Sequence, residues 1–153
     1  MRKIAILAVF ISISCLVFGQ KATPVADAQK PQVIQQPIGD HAFTIPAGAF
    51  KEFSFTIPDG LQRVGLFGKF NATGGVRNSI EVWVMNDDQF VNWRNHHAVK
   101  PLYNSEKVTQ GTIKLMLPNE PGATYHIVFN NNFSLLTPKA VEAQLALDYV
   151  KQQ

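Results

Sequence analysis

The fold turns on residues 123–149, ATYHIVFNNNFSLLTPKAVEAQLALDY. At its start, Tyr125, Ile127 and Phe129 alternate with His126 and Val128, a period of two that turns one strongly apolar face inward. At its end, Val141, Ala143, Leu145, Leu147 and Tyr149 alternate with Glu142, Gln144, Ala146 and Asp148. That is the pattern of a strand packed on one face and wet on the other. Between them, Asn130, Asn131 and Asn132 tolerate left-handed backbone and bond their own main chain in turns. Phe133, Leu135 and Leu136 make the connection apolar and predict that it packs down over the end of the core. Pro138 has no N–H to donate and pre-sets the angle into the last strand, while Pro121 and Gly122 are the turn signal in front. The stretch is two strands joined by a corner.

Working outward, the same period recurs. Residues 41–46 read as a short strand closed by Pro46, Ala47 and Gly48. Phe53, Phe55 and Ile57 alternate with Glu52, Ser54 and Thr56 before Pro58, Asp59 and Gly60 end the run. Val64, Leu66, Gly68 and Phe70 line one face of the next strand, and Phe67 falls among Arg63, Lys69 and Asn71 on the other. Gly65 and Gly68 mark a bulge or a close backbone approach. Ile80, Val82 and Val84 alternate with Glu81, Trp83 and Met85, and Ile113, Leu115 and Leu117 with Thr112, Lys114 and Met116. Counting residues 99–103 as a short edge strand gives about eight strands at regular turn spacing. The predicted fold is all-β, an antiparallel, jelly-roll-like sandwich with one short helical turn in a loop.

Phe129-x-Asn131-x-Phe133-Ser134, followed by Lys139 and Val141, resembles the end of GOLD (Golgi dynamics) domains. These are β-sandwich modules of cargo adaptors in the early secretory pathway and of some lipid-transfer proteins. The resemblance is close over residues 125–141 and extends in strand order and spacing from about residue 43. It implies a non-catalytic interaction module and supplies no catalytic residue. The membrane-bound adaptors also carry a cysteine pair, a coiled coil and a C-terminal membrane span, which this sequence does not show.

The N-terminal residues 1–19 read as a signal peptide: Arg2 and Lys3, then an apolar run, then Val17 and Gly19 as the small-residue cleavage pattern. A lipid anchor on Cys15 is disfavoured, because Leu16, Val17 and Phe18 continue the apolar run beyond it. Residues 20–40, QKATPVADAQKPQVIQQPIGD, lack either periodicity and read as a flexible tether, leaving residues 41–153 as the domain. Of 153 residues, 134 remain after the first 19, enough for one core. Loss of Arg2 and Lys3 reduces 14 basic groups to 12 against 11 acidic ones, so the apparent basicity belongs largely to the leader. Nucleic acid is not an expected partner, since no basic patch with interleaved aromatics survives. Cys15 is the one cysteine, so the mature chain has no disulfide or thiol chemistry. The expected location is periplasmic or extracellular.

One connection breaks the rhythm. Residues 86–104, NDDQFVNWRNHHAVKPLYN, exceed a hairpin loop and admit a helical turn over residues 87–94, capped by Asp87 or Asp88. Loops between sandwich strands are where binding residues concentrate. Trp93 is the candidate rigid anchor and Arg94 its charged companion, with Asp88, Phe90, His96 and His97 around them. A second reading of the same residues is structural, with Phe90 and Trp93 plugging the open end of the sandwich. Adjacent histidines point apart in a strand and no spaced ligand set accompanies them, so no metal or cofactor is expected. No nucleophile elbow, HExxH or phosphate-binding glycine loop is present, and His126 reads as an outward surface histidine. The expected function is a non-catalytic binding module with another envelope or secreted protein as partner. Carbohydrate binding is the alternative, followed by a metal-dependent hydrolase built on the same loop.

Overall fold

The computed structural model of the chain describes residues 32–151, apart from residues 40 and 76. The expected leader, and residues 20–31 of the expected tether, lie outside the described residues. In chain order the elements are β1 (Val33–Ile38), β2 (Ala42–Ile45), β3 (Phe50–Thr56), β4 (Leu61–Thr73), β5 (Ile80–Asn86), α1 (Asp87–Arg94), β6 (Tyr103–Val108), β7 (Gln110–Met116), β8 (Thr124–Asn130) and β9 (Lys139–Lys151). One sheet has five strands: β9 pairs with β1 and β2 along one edge and with β4 along the other, and β4 pairs onward with β7. The other has the order β3-β8-β5-β6. All pairings are antiparallel. The described residues form an all-β sandwich of nine strands with one short helix. No helix among the described residues is long and apolar enough to cross a membrane.

The stretch that decides the fold supplies an inner strand to each sheet. β8 runs between β3 and β5, and β9 between β4 and the β1/β2 edge, so the corner between them carries the chain from one sheet to the other. The period-two patterns put Tyr125, Ile127 and Phe129 against Val141, Ala143, Leu145 and Leu147, all buried. Leu66, Phe70, Ile80, Val82, Val84 and Ile113 complete the core. Phe129 sits among edge-on rings: Phe43 at 5.1 Å, Phe70 at 5.9 Å and Phe53 at 6.1 Å between centroids. Edge-to-face pairs of this kind add to the area they bury. Gly68 is required by a close approach, since a Cβ there would collide with the carbonyl oxygen of Gln144. The register of β4 on β9 shifts between Gln62 and Gly65, the bulge that the glycines signalled.

The corner closes differently from its apolar composition. Leu135 and Leu136 are 89% and 92% exposed, so they do not cover the core. Asn131, fully buried, holds the corner instead. Its Nδ2 donates to the carbonyls of Pro46 (3.0 Å), Thr137 (3.1 Å) and Ile45 (3.4 Å), and its backbone N–H donates to Ala49 O. Buried backbone carbonyls need donors more than the core needs two further leucines. Ser134 Oγ donates to Thr137 O, and buried Lys139 donates through Nζ to Gly74 O, tying the start of β9 to the turn after β4.

Two expected boundaries move. Val33–Ile38, inside the segment read as tether, forms β1 against β9. Its pairing is mostly main chain: Val33 is 64% exposed, and Pro37 is tolerated because the strand lies at an edge. Sequence period could not show a strand that buries so little. The edge strand expected over residues 99–103 is β6, Tyr103–Val108. Its register on β5 shifts between Glu81 and Trp83, and Ser105 Oγ accepts the Val82 N–H at 2.8 Å. A side-chain oxygen thus takes a ladder position, which erases the apolar alternation that marks a strand.

Candidate functional site

The outer faces of the two sheets are treated differently, and the difference follows from residues 86–104. α1 spans the 87–94 turn expected from spacing, but its N-cap is Asn86. Asn86 Oδ1 accepts from Gln89 N at 2.9 Å, and Gln89 Oε1 accepts from Asn86 N at 3.0 Å, a reciprocal capping box. That leaves Asp87 free to act outside the helix. α1 lies on the outer face of the four-stranded sheet, where Met85 and Val128 point away from the main core and form a second cluster with Phe90. Trp83, Trp93 and Val99 pack against it.

The six residues expected to make contacts therefore separate. Phe90 is buried, stacked on His126 at 4.2 Å and 14°. Trp93 is half-buried, edge-on to Phe50 at 5.1 Å and 6.2 Å from Trp83. Both aromatics plug, but against a sheet face and not the open end of the sandwich. Asp88, Arg94, His96 and His97 are exposed. The Arg94 guanidinium lies 5.6 Å over the Phe90 ring. His96 takes a left-handed backbone at φ 61°, and His97 Nδ1 lies 3.3 Å from Asn92 Oδ1. These four surround the plug without converging on a common point. Among the described residues no three His, Cys, Asp or Glu side chains gather as a metal set.

His126 is not the surface histidine its strand position suggested. It is 6% exposed beneath α1, with Nδ1 2.6 Å from Glu52 Oε1 and Nε2 3.0 Å from Asp87 Oδ1. Both ring nitrogens donate to these carboxylates together when the ring is the imidazolium. The group joins β3, β8 and the first turn of α1, where Asp87 also complements the helix dipole. With both nitrogens engaged, neither offers a lone pair to a substrate. The arrangement works as a clasp on the helix.

Among the described residues no element covers the outer face of the five-stranded sheet in this way. Its central rows place Lys69 opposite Gln144 on β9 and Thr112 on β7, and Asn71 opposite Glu142 and Gln110. All six are exposed. They line a groove of about 820 Å³, walled on the β2 side by His41 and Ala42. A second hollow of about 310 Å³ shares Ala42, Asn71 and Glu142 and extends the groove toward Thr44, Thr73 and Ala140. Sequence patterning placed Lys69, Asn71, Thr112, Glu142 and Gln144 on the outward face of their strands. It could not bring the six together, because they come in pairs from three strands, β4, β7 and β9, and their adjacency is set by register. The only signal was a face unusually rich in amides and hydroxyls.

No protein-family model matches the chain, and no curated protein matches it in sequence.

Proposed function

We propose that this chain is an exported, non-catalytic binding module that takes its ligand in the groove on the outer face of the five-stranded sheet. The observation that carries the reading is the asymmetry of the two outer faces. One is sealed by α1 and its aromatics. The other is open and concave, and it is lined by polar side chains directed away from the core. Export rests on the leader read in residues 1–19, and a non-catalytic role is what the likeness of residues 125–141 to GOLD domains implies. The engagement of both His126 nitrogens supports it, since the most enclosed histidine has no open position for proton transfer. Trp93, expected as the anchor for a protein partner, is half-buried and packs on Phe50 and Phe90, which favours the groove over the 86–104 connection.

The test is retention of material from the exported fraction by immobilised wild type and by the Lys69→Glu/Asn71→Ala double variant, both shown to have the same melting temperature. Material held by the wild type and lost by the variant supports the groove. Equal retention by both refutes it. Loss in Val91→Ala instead, an exposed position on α1, returns the site to the helix surface.

A further inference from the structure

The groove has a chemistry that selects among ligands. Asn71, Gln110 and Gln144 each offer amide donors and an acceptor, and Thr112 offers a hydroxyl that does both. Lys69 and Glu142 bring one charge of each sign onto adjacent strands, so the central lining is close to neutral. An ion of either sign meets one like and one opposite charge there, so the pair gives no net Coulombic preference for a charged ligand. Phe70, the aromatic among the lining residues, is buried in the core and no arginine lines the groove, so a protein side chain would find no exposed aromatic or arginine anchor on the floor, where interfaces concentrate their binding energy. What fits is a neutral molecule carrying many groups that donate and accept at once.

Phe67 supplies the other half of the match. It lies on this same face, one row along from Lys69, opposite Ala146 on β9 and Lys114 on β7. It is half-buried although no element among the described residues covers it, because its ring lies across Gly65: a Cβ at Gly65 would collide with Cε2 and Cζ of the ring. Met116, 59% exposed, borders the same spot, its Sδ 3.2 Å from where that Cβ would be. Ala146 is too small to shield the ring on the side facing β9. The sheet thus presents a low apolar platform next to a hydrogen-bonding groove. Sugar rings are amphipathic in this way, with a face of C–H groups and a rim of hydroxyls, and aromatic surfaces beside polar groups hold such ligands. The two continuous hollows follow β9 from Gln144 to Ala140, roughly 14 Å at about 3.4 Å per residue. A run of that length suits a chain of sugars better than a single one.

We infer that the outer face of the five-stranded sheet is a binding site for a neutral polysaccharide, with Phe67 as the stacking platform and Asn71 and Gln144 as the principal hydroxyl ligands. The inference rests on the groove reading above and gives it a ligand class.

The test is native affinity electrophoresis of the full mature chain in gels containing soluble neutral polysaccharides (starch, laminarin, hydroxyethyl cellulose and galactomannan), with polygalacturonate as the anionic comparison. At least one neutral polymer should retard the wild type. The Asn71→Ala/Gln144→Ala and Phe67→Ala variants should each weaken that retardation on the order of tenfold. Phe67→Tyr, which keeps the ring, should bind as the wild type does. Asn71 and Gln144 are exposed, so their variants should melt with the wild type and keep the result interpretable. Retardation by polygalacturonate alone overturns the neutral ligand, and retardation that survives both groove variants overturns the site. If no polymer retards the protein while the Lys69→Glu/Asn71→Ala variant still loses a component held by the wild type, the glycan is wrong and the groove stands. If neither experiment responds, both readings fall.

Discussion

Asn131→Asp should be far more damaging than its near-identity of shape suggests, and more damaging at neutral pH than Asn131→Ala. The three groups around Nδ2 are all backbone carbonyls, of Ile45, Pro46 and Thr137, so the amide orientation is forced and the nitrogen must donate. Alanine removes about two hydrogen bonds' worth of donors at about 1 kcal/mol each and leaves a small void, for a cost of about 3 kcal/mol. Aspartate removes the same donors and brings a carboxylate up to three carbonyl oxygens at a fully buried site, costing about 4–5 kcal/mol. At about 4 °C per kcal/mol for a domain of this size, the melting temperature should fall by about 12 °C in Asn131→Ala and further in Asn131→Asp. A carboxyl in that position has its folded-state pKa raised, so the stability it permits is present at low pH and lost as pH rises through that value. Asn131→Asp should therefore recover toward Asn131→Ala, or pass it, between pH 7 and pH 4. Urea and thermal unfolding of the three proteins at both pH values, followed by tryptophan fluorescence and circular dichroism, measure this directly. An aspartate variant melting within about 3 °C of wild type at pH 7, or one more stable there than the alanine variant, would refute the account of the corner.

Trp93→Ala should cost about 2 kcal/mol, as a half-buried aromatic packed on Phe50, Phe90 and Trp83, and should leave groove binding unchanged in whatever fraction remains folded; a melting curve paired with the polysaccharide gel reads both. His126→Leu should cost about 1–2 kcal/mol and speed hydrogen exchange in residues 87–94 more than in β8, because Glu52 and Asp87 are partly exposed and rehydrate while the helix loses its tether. Equal protection of α1 in both proteins would remove the clasp. Burial raises the hydroxyl pKa of Tyr103, and burial followed by the Glu120 charge raises that of Tyr125, above the ordinary 10.0. With the folded value above the unfolded one, stability from these groups is intact below pH 10 and lost as pH rises through the folded values. Tyr125→Phe should flatten the alkaline limb while giving up the hydrogen bond to Pro118 O, as unfolding measured against pH, alongside an ultraviolet phenolate titration, will show.

Spacing alone places Tyr125, Ile127 and Phe129, and Val141, Ala143, Leu145 and Leu147, on inward faces, and all are buried in the core. The helical turn over residues 87–94 was equally legible, because i,i+4 spacing is local, although its cap is Asn86 and not the expected Asp87 or Asp88. Leu135 and Leu136 misled because apolarity was taken as burial, whereas the corner is governed by carbonyls needing a donor. His126 misled in the opposite sense. Its outward direction was right, but a helix from elsewhere in the chain covers that face. The groove was the least legible part, since its side chains come from three strands; of the residues expected from composition, Phe90 and Trp93 pack into the second cluster while Asp88, Arg94, His96 and His97 stay exposed.

By itself, then, the sequence determined that this is a β-sandwich, which strands form most of it, and which side of each strand faces the main core. Those properties depend on a period of two and on turn chemistry, which act over a few residues. Only the tertiary structure decided that β8 and β9 sit inside different sheets, that α1 seals one outer face, and that Lys69, Asn71, Gln110, Thr112, Glu142 and Gln144 share the other. Register and sheet order set those neighbourhoods, and both come from long-range pairing that no short window of sequence contains.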